Sequence, residues 1–295
     1  MLNKLLTEQI NPVSEDIDSV STEQALAIIN AEDAKVAGAV AREVPRIAKA
    51  VDGIVAAVRD GGRLFYVGAG TSGRLGVLDA AECPPTFSVP PEFVQGIIAG
   101  GEKALARATE ATEDDPATGE RDLLSHGFTS NDVLVGIAAS GRTPYVLGAV
   151  KKARSLGALT VGLSCTPQSE LSAAVEIAIE PLTGPEVIAG STRMKAGTAT
   201  KLVLNMLSTA VMIRLGYVFG NLMVNVQPTN SKLADRAARI IAQAAGLDYP
   251  KAAELLKEAG AVKTAIVMAR RGISRREAEH LLARGNGVVS QALNL

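Results

Sequence analysis

Two short segments of this sequence combine glycines with side-chain hydroxyls in a pattern typical of anion-binding turns. The first is Gly68-Ala69-Gly70-Thr71-Ser72-Gly73-Arg74, and the second is Ala139-Ser140-Gly141-Arg142-Thr143-Pro144. Each follows an apolar run and precedes a helical pattern, so the N–H groups of a helix N-terminus and the hydroxyls could surround one phosphate group. The ligand predicted is a phosphate-bearing small molecule, and the predicted binding residues are Gly70, Thr71, Ser72, Gly73, Ser140, Gly141, Arg142 and Thr143.

The first segment also satisfies the G-x-G-x-x-G pattern of dinucleotide-binding turns, which leaves a second interpretation open. A dinucleotide site would want an acidic residue after the next strand, but the run Phe93–Ile98 is followed by Ala99-Gly100-Gly101. The hydroxyls of Thr71 and Ser72 suit a single phosphate better than a pyrophosphate, which is held mainly by backbone N–H groups. For both segments, an ordinary turn with helix caps is a further interpretation.

Two glutamates are candidates for proton transfer. Glu82 lies near the end of the helix predicted after the first segment, where Cys83-Pro84-Pro85 is expected to stop that helix. Glu113 lies in the acidic turn Thr112-Glu113-Asp114-Asp115-Pro116. Carboxylates near helix ends are usually exposed and have no catalytic function, so the residue types alone do not decide whether either glutamate transfers protons. The neighbouring acidic side chains are predicted to be solvated: Glu110, Asp114 and Asp115.

A third polar cluster lies in the segment Gly190–Thr198, which opens a long apolar helical pattern. Ser191 and Arg193 are predicted to bind substrate, because an arginine pairs bidentately with a phosphate or a carboxylate. The alternative is a helix start whose charges, including Lys195, have no ligand.

The elements that must position these residues alternate along the middle of the chain. Short apolar runs predict five strands: Leu64–Val67, Phe93–Ile98, Val133–Ile137, Leu159–Leu163 and Val175–Ile179. Strands that are apolar on both faces and alternate with helices predict a doubly wound, five-stranded parallel α/β sandwich. Both glycine-rich segments would then open at the carboxyl edge of one sheet, where ligands bind.

Helices are predicted on both sides of this sheet domain. Residues 1 to about 20 are expected to be irregular, and Ser21 with Gln24 predicts a capping box that starts a helix near Thr22. A long helix is predicted from Lys195 to Tyr217. Residues 230–295 predict three or four short helices, with breaks at Gly246, Gly260, Gly272 and Gly285–Gly287. The predicted domains are 1–54 (N-terminal helices), 55–218 (the sheet) and 219–295 (a helical module).

Composition excludes several function classes. The 295 residues are 47% hydrophobic with a formal net charge of −1, so bulk charge attracts neither nucleic acid nor an anionic membrane. The N-terminus does not resemble a signal peptide, and no uncharged apolar run has the length of a membrane span. Cys83 and Cys165 form no C-x-x-C pair and are expected to be thiols in a reducing cytoplasm. His126 and His280 lack metal-ligand partners, and no metal or redox cofactor is predicted.

The strand–Ser-Gly-x-Thr–helix arrangement resembles the sugar isomerase (SIS) domain, a phosphosugar-binding fold. Three longer segments narrow this resemblance to the N-acetylmuramic acid 6-phosphate etherases and the related glucokinase regulatory proteins. They are Gly68–Gly76, Asp79–Thr86 and Gly190–Thr198. The resemblance extends over nearly the whole chain, although the C-terminal part matches by order and length rather than by motif.

The resemblance to the etherases implies a specific reaction. The ring-opened aldehyde acidifies carbon 2 of the hexosamine, a base removes that proton, D-lactate leaves carbon 3, and water then adds at carbon 3. By similarity, Glu82 donates a proton to the lactate oxygen and Glu113 is the base at carbon 2, although the two roles could be exchanged or shared. The resemblance also implies a homodimer, which fits the very apolar predicted helices, and a structural C-terminal module of the ubiquitin-associated type.

Two other functions remain open at this stage. A sugar-phosphate sensor of the glucokinase regulatory type would bind without catalysis, but those proteins contain two such domains and this sequence has room for one. An aldose–ketose phosphate isomerase would also place a carboxylate near the sugar. The segments around Glu82 and Gly190–Thr198 favour the etherase over the isomerase.

Overall fold

The computed structural model describes residues 6–107, 112–228 and 230–295. The chain divides into two compact units. The first comprises Met1–Glu82 and Pro91–Ser208, and the second comprises Cys83–Pro90 and Thr209–Leu295. The three-part division at residues 54 and 218 stays a prediction.

The first unit begins with three helices. They are α1 (Thr22–Asp33), α2 (Val36–Ala41) and α3 (Val44–Arg59). The predicted capping box is present, because Ser21 and Gln24 exchange side-chain and backbone hydrogen bonds at the start of α1. Before α1, the predicted irregular segment contains two short 3-10 turns, Leu6–Glu8 and Pro12–Ser14.

The described residues of the first unit form one parallel sheet of five strands, which confirms the predicted fold class. The strands are β1 (Leu64–Gly68), β2 (Val94–Ile98), β3 (Val133–Ile137), β4 (Leu159–Leu163) and β5 (Ile177–Ile179). Their spatial order is β2-β1-β3-β4-β5. Every residue of β1 and β3 is buried, because helices cover both faces of the sheet.

Helices follow the strands in the alternating order that the sequence predicts. They are α4 (Gly70–Phe87), α5 (Lys103–Ala106), α6 (Pro116–Ser125), α7 (Pro144–Ser155), α8 (Glu170–Ala174) and α9 (Lys195–Arg214). Strand β5 is shorter than predicted because Val175 is the C-cap of α8, which leaves Ile177–Ile179 to pair with β4. Helix α9 ends at Arg214 rather than at Tyr217, because the N–H of Tyr217 turns back to the carbonyl of Met212.

The prediction that Pro84 and Pro85 stop the first post-loop helix was wrong. Helix α4 continues through both prolines to Phe87. The fixed φ of proline is itself compatible with a helix, and the cost is two missing N–H donors for the carbonyls of Ala80 and Ala81 together with the close approach of each ring to the same carbonyls. Glu82 therefore projects from within a helix and not from a helix end.

Helix α9 is, among the described residues, the one helix long and apolar enough to cross a membrane by length and composition. Within the most apolar stretch of this helix, 56% is buried inside the structure. That burial is the behaviour of a core helix.

The second unit is mainly helical. A small antiparallel hairpin, β6 (Val218–Phe219) with β7 (Leu222–Met223), precedes the helices and was not predicted. Residues 230–295 form five helices rather than three or four: α10 (Ser231–Ala245), α11 (Tyr249–Ala259), α12 (Val262–Arg271), α13 (Arg275–Arg284) and α14 (Val289–Leu293). The predicted breaks are confirmed, since α10 to α13 end at the expected glycines. The additional element is the five-residue helix α14.

Candidate functional site

The two hydroxyl-rich loops lie beside each other at the carboxyl edge of the sheet. Strands β1 and β3 are parallel neighbours, with Gly68 opposite Ile137. The strand order reverses at this pair, because β2 lies on the outer side of β1 while β4 and β5 follow β3. This is the topological switch point, where open α/β sheets bind their ligands. Adjacent strands are about 4.8 Å apart, so both loops can contact one small ligand.

The first loop is a tight turn that opens directly into α4. A side chain at Gly73 would lie 2.6 Å from both the carbonyl oxygen of Gly68 and Cγ1 of Ile98, so this turn tolerates only glycine. Gly70 has a φ of +53°, and, apart from its adjoining residues and nearby helix backbone, no atom of the described residues lies within 4 Å of the position that its Cβ would take. The N–H of Gly73 donates to the carbonyl of Ala69 over 3.2 Å, and the N–H groups before it in α4 have no partner within the helix. The loop therefore combines backbone donors with the hydroxyls of the half-buried Thr71 and Ser72.

The second loop is also held by close backbone packing. Gly141 has a φ of +68°, and a Cβ there would overlap the side chain of Ser169. The N–H of Gly141 donates to the carbonyl of Ala138 over 2.8 Å. Within the described part of the chain, the hydroxyl of Ser140 has no hydrogen-bond partner. Ser140 is therefore the side chain of this loop that is available to a phosphate.

The other two predicted ligands of the second loop already contact carboxylates. The guanidinium of Arg142 donates through Nε to Oε1 of Glu170 over 3.0 Å, at the surface. The buried hydroxyl of Thr143 donates to Oε1 of Glu113 over 3.0 Å. Thr143 thus couples the second loop to a predicted catalytic carboxylate, and its hydroxyl is engaged in the absence of a ligand.

Glu113 is fixed beside the second loop by two contacts. Its carboxylate accepts the hydrogen bond from Thr143, and its backbone carbonyl accepts one from the N–H of Tyr145 over 3.0 Å. The side chain is half-buried. Of the neighbouring acids, Asp114 is exposed, and Asp115 caps α6 through the N–H of Ala117. A hydrogen bond from the Thr118 hydroxyl lowers the pKa of Asp115. Glu110 lies outside the described residues.

Glu82 is separated from the first loop of its own chain. It lies twelve residues beyond Gly70 on the same helix, which corresponds to about 18 Å along the axis. Its exposed side chain lines a cleft between α4 and α9 with a volume of about 250 Å³. The other lining residues are Leu75, Leu78, Asp79, Lys201, Leu204 and Asn205. The structure therefore brings Glu113, but not Glu82, to the loops of one chain.

A buried polar network fixes the helix that carries Glu82. Asp79, one turn before Glu82, accepts hydrogen bonds from the hydroxyl of Tyr66 over 2.9 Å and from Nδ2 of Asn205 over 2.6 Å. The hydroxyl of Ser208 donates to the same carboxylate over 3.2 Å. Sequence reasoning missed this network. The available signal was Asn205 and Ser208, three residues apart and therefore on one face of an apolar helix.

The third polar segment reaches the first loop, but its helix N-terminus is occupied. Cγ2 of Thr71 lies 3.6 Å from the position that a Cβ on Gly197 would take. Both carboxylate oxygens of Glu186 accept backbone N–H groups at the start of α9, from Lys195 and Ala196, each over 2.9 Å. Burial raises the pKa of Glu186. Ser191 and the exposed Arg193 can therefore offer side chains here, while the N–H groups of Lys195 and Ala196 are already bonded to Glu186.

Lys195 is buried rather than directed to a ligand. Its side chain is 1% exposed, and its Nζ contacts Oε2 of Glu32 over 2.6 Å. Glu32 also accepts hydrogen bonds from Lys35 and from Asn11. Burial of Glu32 opposes ionisation, but the hydrogen bonds from Lys195, Lys35 and Asn11 outweigh it and lower the pKa of Glu32 to about 2. This ion pair anchors the start of α9, and no local sequence pattern indicated it.

Within residues 6–107, 112–228 and 230–295, no three His, Cys, Asp or Glu side chains are grouped so that they could hold an ion. His126 contacts the backbone carbonyl of Asp122 through Nδ1 over 2.8 Å.

Comparison with known proteins places the chain in a family. Residues 46–154 match the family model of the glucokinase regulatory protein N-terminal SIS domain. A protein of Rhodopirellula baltica named N-acetylmuramic acid 6-phosphate etherase is 54% identical over 293 residues, which cover 99% of this chain and 97% of that protein. Proteins of the same name are 53% identical in Klebsiella aerogenes (99% of this chain, 98% of that protein) and 57% identical in a Jannaschia species (90% and 84%). The chain belongs to the N-acetylmuramic acid 6-phosphate etherase family.

The etherase family therefore shares its sheet with phosphosugar isomerases. A phosphoheptose isomerase from Neisseria gonorrhoeae superposes with a TM-score of 0.51 and 17% identity, covering 65% of this chain and 98% of that one. A protein described as a phosphosugar isomerase from Bacteroides fragilis superposes with a TM-score of 0.51 and 18% identity, covering 68% and 95%. These identities support the shared fold alone.

Proposed function

We propose that this protein cleaves the lactyl ether of N-acetylmuramic acid 6-phosphate, giving D-lactate and N-acetylglucosamine 6-phosphate. The observation that carries the proposal is the 54% identity, over 99% of this chain, to a protein named for that activity. The two loops at the switch point support it, because they offer hydroxyls and backbone donors to one phosphate. In class, the activity is that of a carbon–oxygen lyase.

The reaction requires only proton transfers after the sugar ring has opened. A base takes the proton from carbon 2, the electron pair forms a double bond between carbons 2 and 3, and the bond from carbon 3 to the lactate oxygen breaks. An acid protonates that oxygen, so D-lactate leaves. Water then adds at carbon 3 and a proton returns to carbon 2. Positioned carboxyl groups can carry each of these transfers.

We assign the roles from position and from family similarity. Gly70–Gly73 and Ser140 with Gly141 bind the 6-phosphate, and Ser191 with Arg193 lies on the side of the first loop. Glu113 contacts the second loop through Thr143 and is the base at carbon 2. Glu82 is the acid for the departing lactate. Arg142 and Thr143 shape the second loop through the carboxylates that they already contact.

The position of Glu82 favours a site shared between two subunits. A hexosamine phosphate is much shorter than the 18 Å or so that separate Glu82 from Gly70 along α4. Leu78 and Met206, on the two helices that form the Glu82 cleft, are 52% and 39% exposed, which is high for apolar side chains of this size. We therefore propose a homodimer in which each site combines Glu113 of one protomer with the partner's Glu82.

We also propose that the enzyme works in the cytoplasm. Cys83 and Cys165 are both buried as thiols, which fits a reducing compartment. Burial raises the pKa of Cys165 to about 12, so this thiol is not a nucleophile.

The direct test is a lactate assay on purified protein with N-acetylmuramic acid 6-phosphate, in the presence of a chelator. D-lactate should appear, and reaction in heavy-oxygen water should place the label at carbon 3 of the sugar. Label in lactate instead would contradict the elimination. Tight binding without lactate release would contradict the proposed enzyme and support a sensor.

A further inference from the structure

The substrate of the proposed function carries two anions, and the loops account for one of them. The 6-phosphate lies at one end of the sugar, and the carboxylate of the lactyl group lies at carbon 3. That carboxylate is attached to the carbon next to the ether oxygen, so it lies within a few ångströms of the bond that breaks. A group that protonates this oxygen must therefore work close to a second anion, which needs a cation of its own.

The cleft between α4 and α9 contains such a cation beside the predicted acid. Glu82 and Lys201 line the same cavity of about 250 Å³, and Lys201 is the only cation among its lining residues. The Lys201 side chain is exposed and has no ion pair within the described part of the chain. The amide of Asn205, one turn further along α9, lines the same cleft.

The rest of the cleft also matches a lactyl group. The apolar part of its wall is formed by Leu75, Leu78 and Leu204. It suits the one methyl group that the lactyl group carries beside its carboxylate. The cleft volume is small for a whole hexosamine phosphate but ample for a three-carbon acid. The Asp79 network holds α4 against α9 here, so the spacing between Glu82 and Lys201 is set by buried contacts.

We propose that Lys201 binds the lactyl carboxylate of the substrate and so holds the ether oxygen within reach of Glu82. This inference rests on the proposed function and names a specificity-determining residue for it. A lysine suits the task because its ammonium is a compact point charge on a flexible stem, which can follow the carboxylate as lactate departs. Since both residues line one cleft, the pairing holds whichever subunit supplies that cleft.

Arg193 is the competing cation for the lactyl carboxylate. It precedes the first residue of α9, at the helix end that approaches Thr71 and the first loop. Lys201 lies six residues inside α9, about 9 Å further along the axis. Arg193 is therefore placed beside the first loop of its own protomer, and Lys201 is placed beside Glu82.

The test compares binding of two sugars that differ by the lactyl group. Affinities for N-acetylmuramic acid 6-phosphate and for N-acetylglucosamine 6-phosphate are measured by calorimetry in a Glu82→Gln background, in which turnover is slowed. Adding Lys201→Met should weaken binding of the first sugar by about tenfold to a hundredfold, the range for a hydrogen bond to a charged group. Binding of the second sugar should change less than about twofold, since it has no carboxylate to lose.

Matched variants separate charge from fold. Lys201→Arg should restore most of the affinity for the lactyl sugar. Lys151→Met, which removes an exposed lysine of α7 outside the cleft, should change neither affinity. Thermal unfolding of each variant checks that the fold is retained.

Three results would overturn the inference. They are unchanged affinity of Lys201→Met for the lactyl sugar, an equal loss for both sugars, or a selective loss in Arg193→Met in place of Lys201→Met. A wild-type protein that releases no lactate would instead contradict the proposed function, and the binding comparison would still decide the role of Lys201.

Discussion

The two ends of α4 carry functional groups of different kinds. At its start, Gly70–Gly73 offers backbone donors and hydroxyls, and the close contacts of Gly73 with Gly68 and Ile98 leave no room for a side chain at that position. Near its other end, Glu82 offers a carboxyl group in a cleft fixed by the buried Asp79 network. The two ends are about 18 Å apart, further than one small sugar extends. One copy of α4 can therefore provide both phosphate binding and proton donation only if its two ends belong to two different sites.

Glu113 shows the opposite arrangement. It is remote in sequence from the second loop but contacts Thr143 directly. In the proposed mechanism, phosphate binding and proton abstraction therefore belong to one protomer, and proton donation belongs to the Glu82 cleft of its partner.

The largest effect is expected at the Glu82 end. Glu82→Gln should lower the rate of lactate release by about 10²- to 10⁴-fold, because the departing oxygen loses its proton donor. Binding of N-acetylglucosamine 6-phosphate should be retained, since the phosphate turns are untouched. Steady-state lactate release and calorimetry measure the two effects. Glu92→Gln, at an exposed glutamate outside the cleft, is the matched control. Full activity in Glu82→Gln would remove Glu82 from the mechanism.

The next effect concerns the ion pair that anchors α9 beside the first loop. Glu32→Gln should lower the free energy of unfolding at pH 7 by about 3–5 kcal/mol, because Lys195 would stay buried without its counter-charge. Lys35→Met removes a partner of Glu32 that is 60% exposed and should cost less than about 1 kcal/mol. Urea unfolding compares the two. Equal costs would contradict the anchoring role.

The same ion pair predicts a pH dependence with a definite sign. The pKa of Glu32 is about 2 in the folded protein, against 4.5 for an unperturbed glutamate. Its stabilising contribution is therefore fully present above pH 4.5 and is lost as the pH falls toward 2. Glu32→Gln should flatten the decline of stability in that window. Unfolding curves recorded between these pH values test this, and an unchanged slope would disagree with it.

A smaller effect is expected at the first loop. Gly73→Ala places a methyl group against the carbonyl of Gly68 and against Ile98, and should cost about 1–3 kcal/mol of stability with weaker phosphate binding. Gly70→Ala meets no atom of the described residues within 4 Å beyond the adjoining backbone, and should cost the strain of its positive φ, about 1–2 kcal/mol. Chemical unfolding and the affinity for inorganic phosphate compare the pair. A Gly73→Ala variant as stable as wild type would show that the turn can adjust to a methyl group, which would contradict the close packing.

Local signals in the sequence were sufficient for much of the fold. Strands β3 and β4 and helix α7 have the predicted bounds, because apolar runs and Pro144 mark them within a few residues. The Ser21 capping box is likewise a four-residue signal. The end of α4 was predicted too early, because the helix-breaking tendency of the prolines after Glu82 is a local preference and the observed helix continues through both of them.

The contacts of the candidate site were harder to predict from the sequence, because they join distant parts of the chain. Thr143 and Glu113 are 30 residues apart, and Lys195 and Glu32 are 163 residues apart. No local pattern encodes such pairs. The separation of Glu82 from the first loop, by contrast, follows from the helix rise and could have been predicted once both were placed on one helix.

Mixing two inactive variants tests the shared site most directly. Glu82→Gln and Glu113→Gln are combined, unfolded and refolded so that subunits exchange, and D-lactate release is measured. If each site takes Glu113 from one protomer and the partner's Glu82, random pairing restores about a quarter of wild-type activity, since half of the dimers carry one intact site. No recovery in a mixture shown to contain heterodimers would contradict the account.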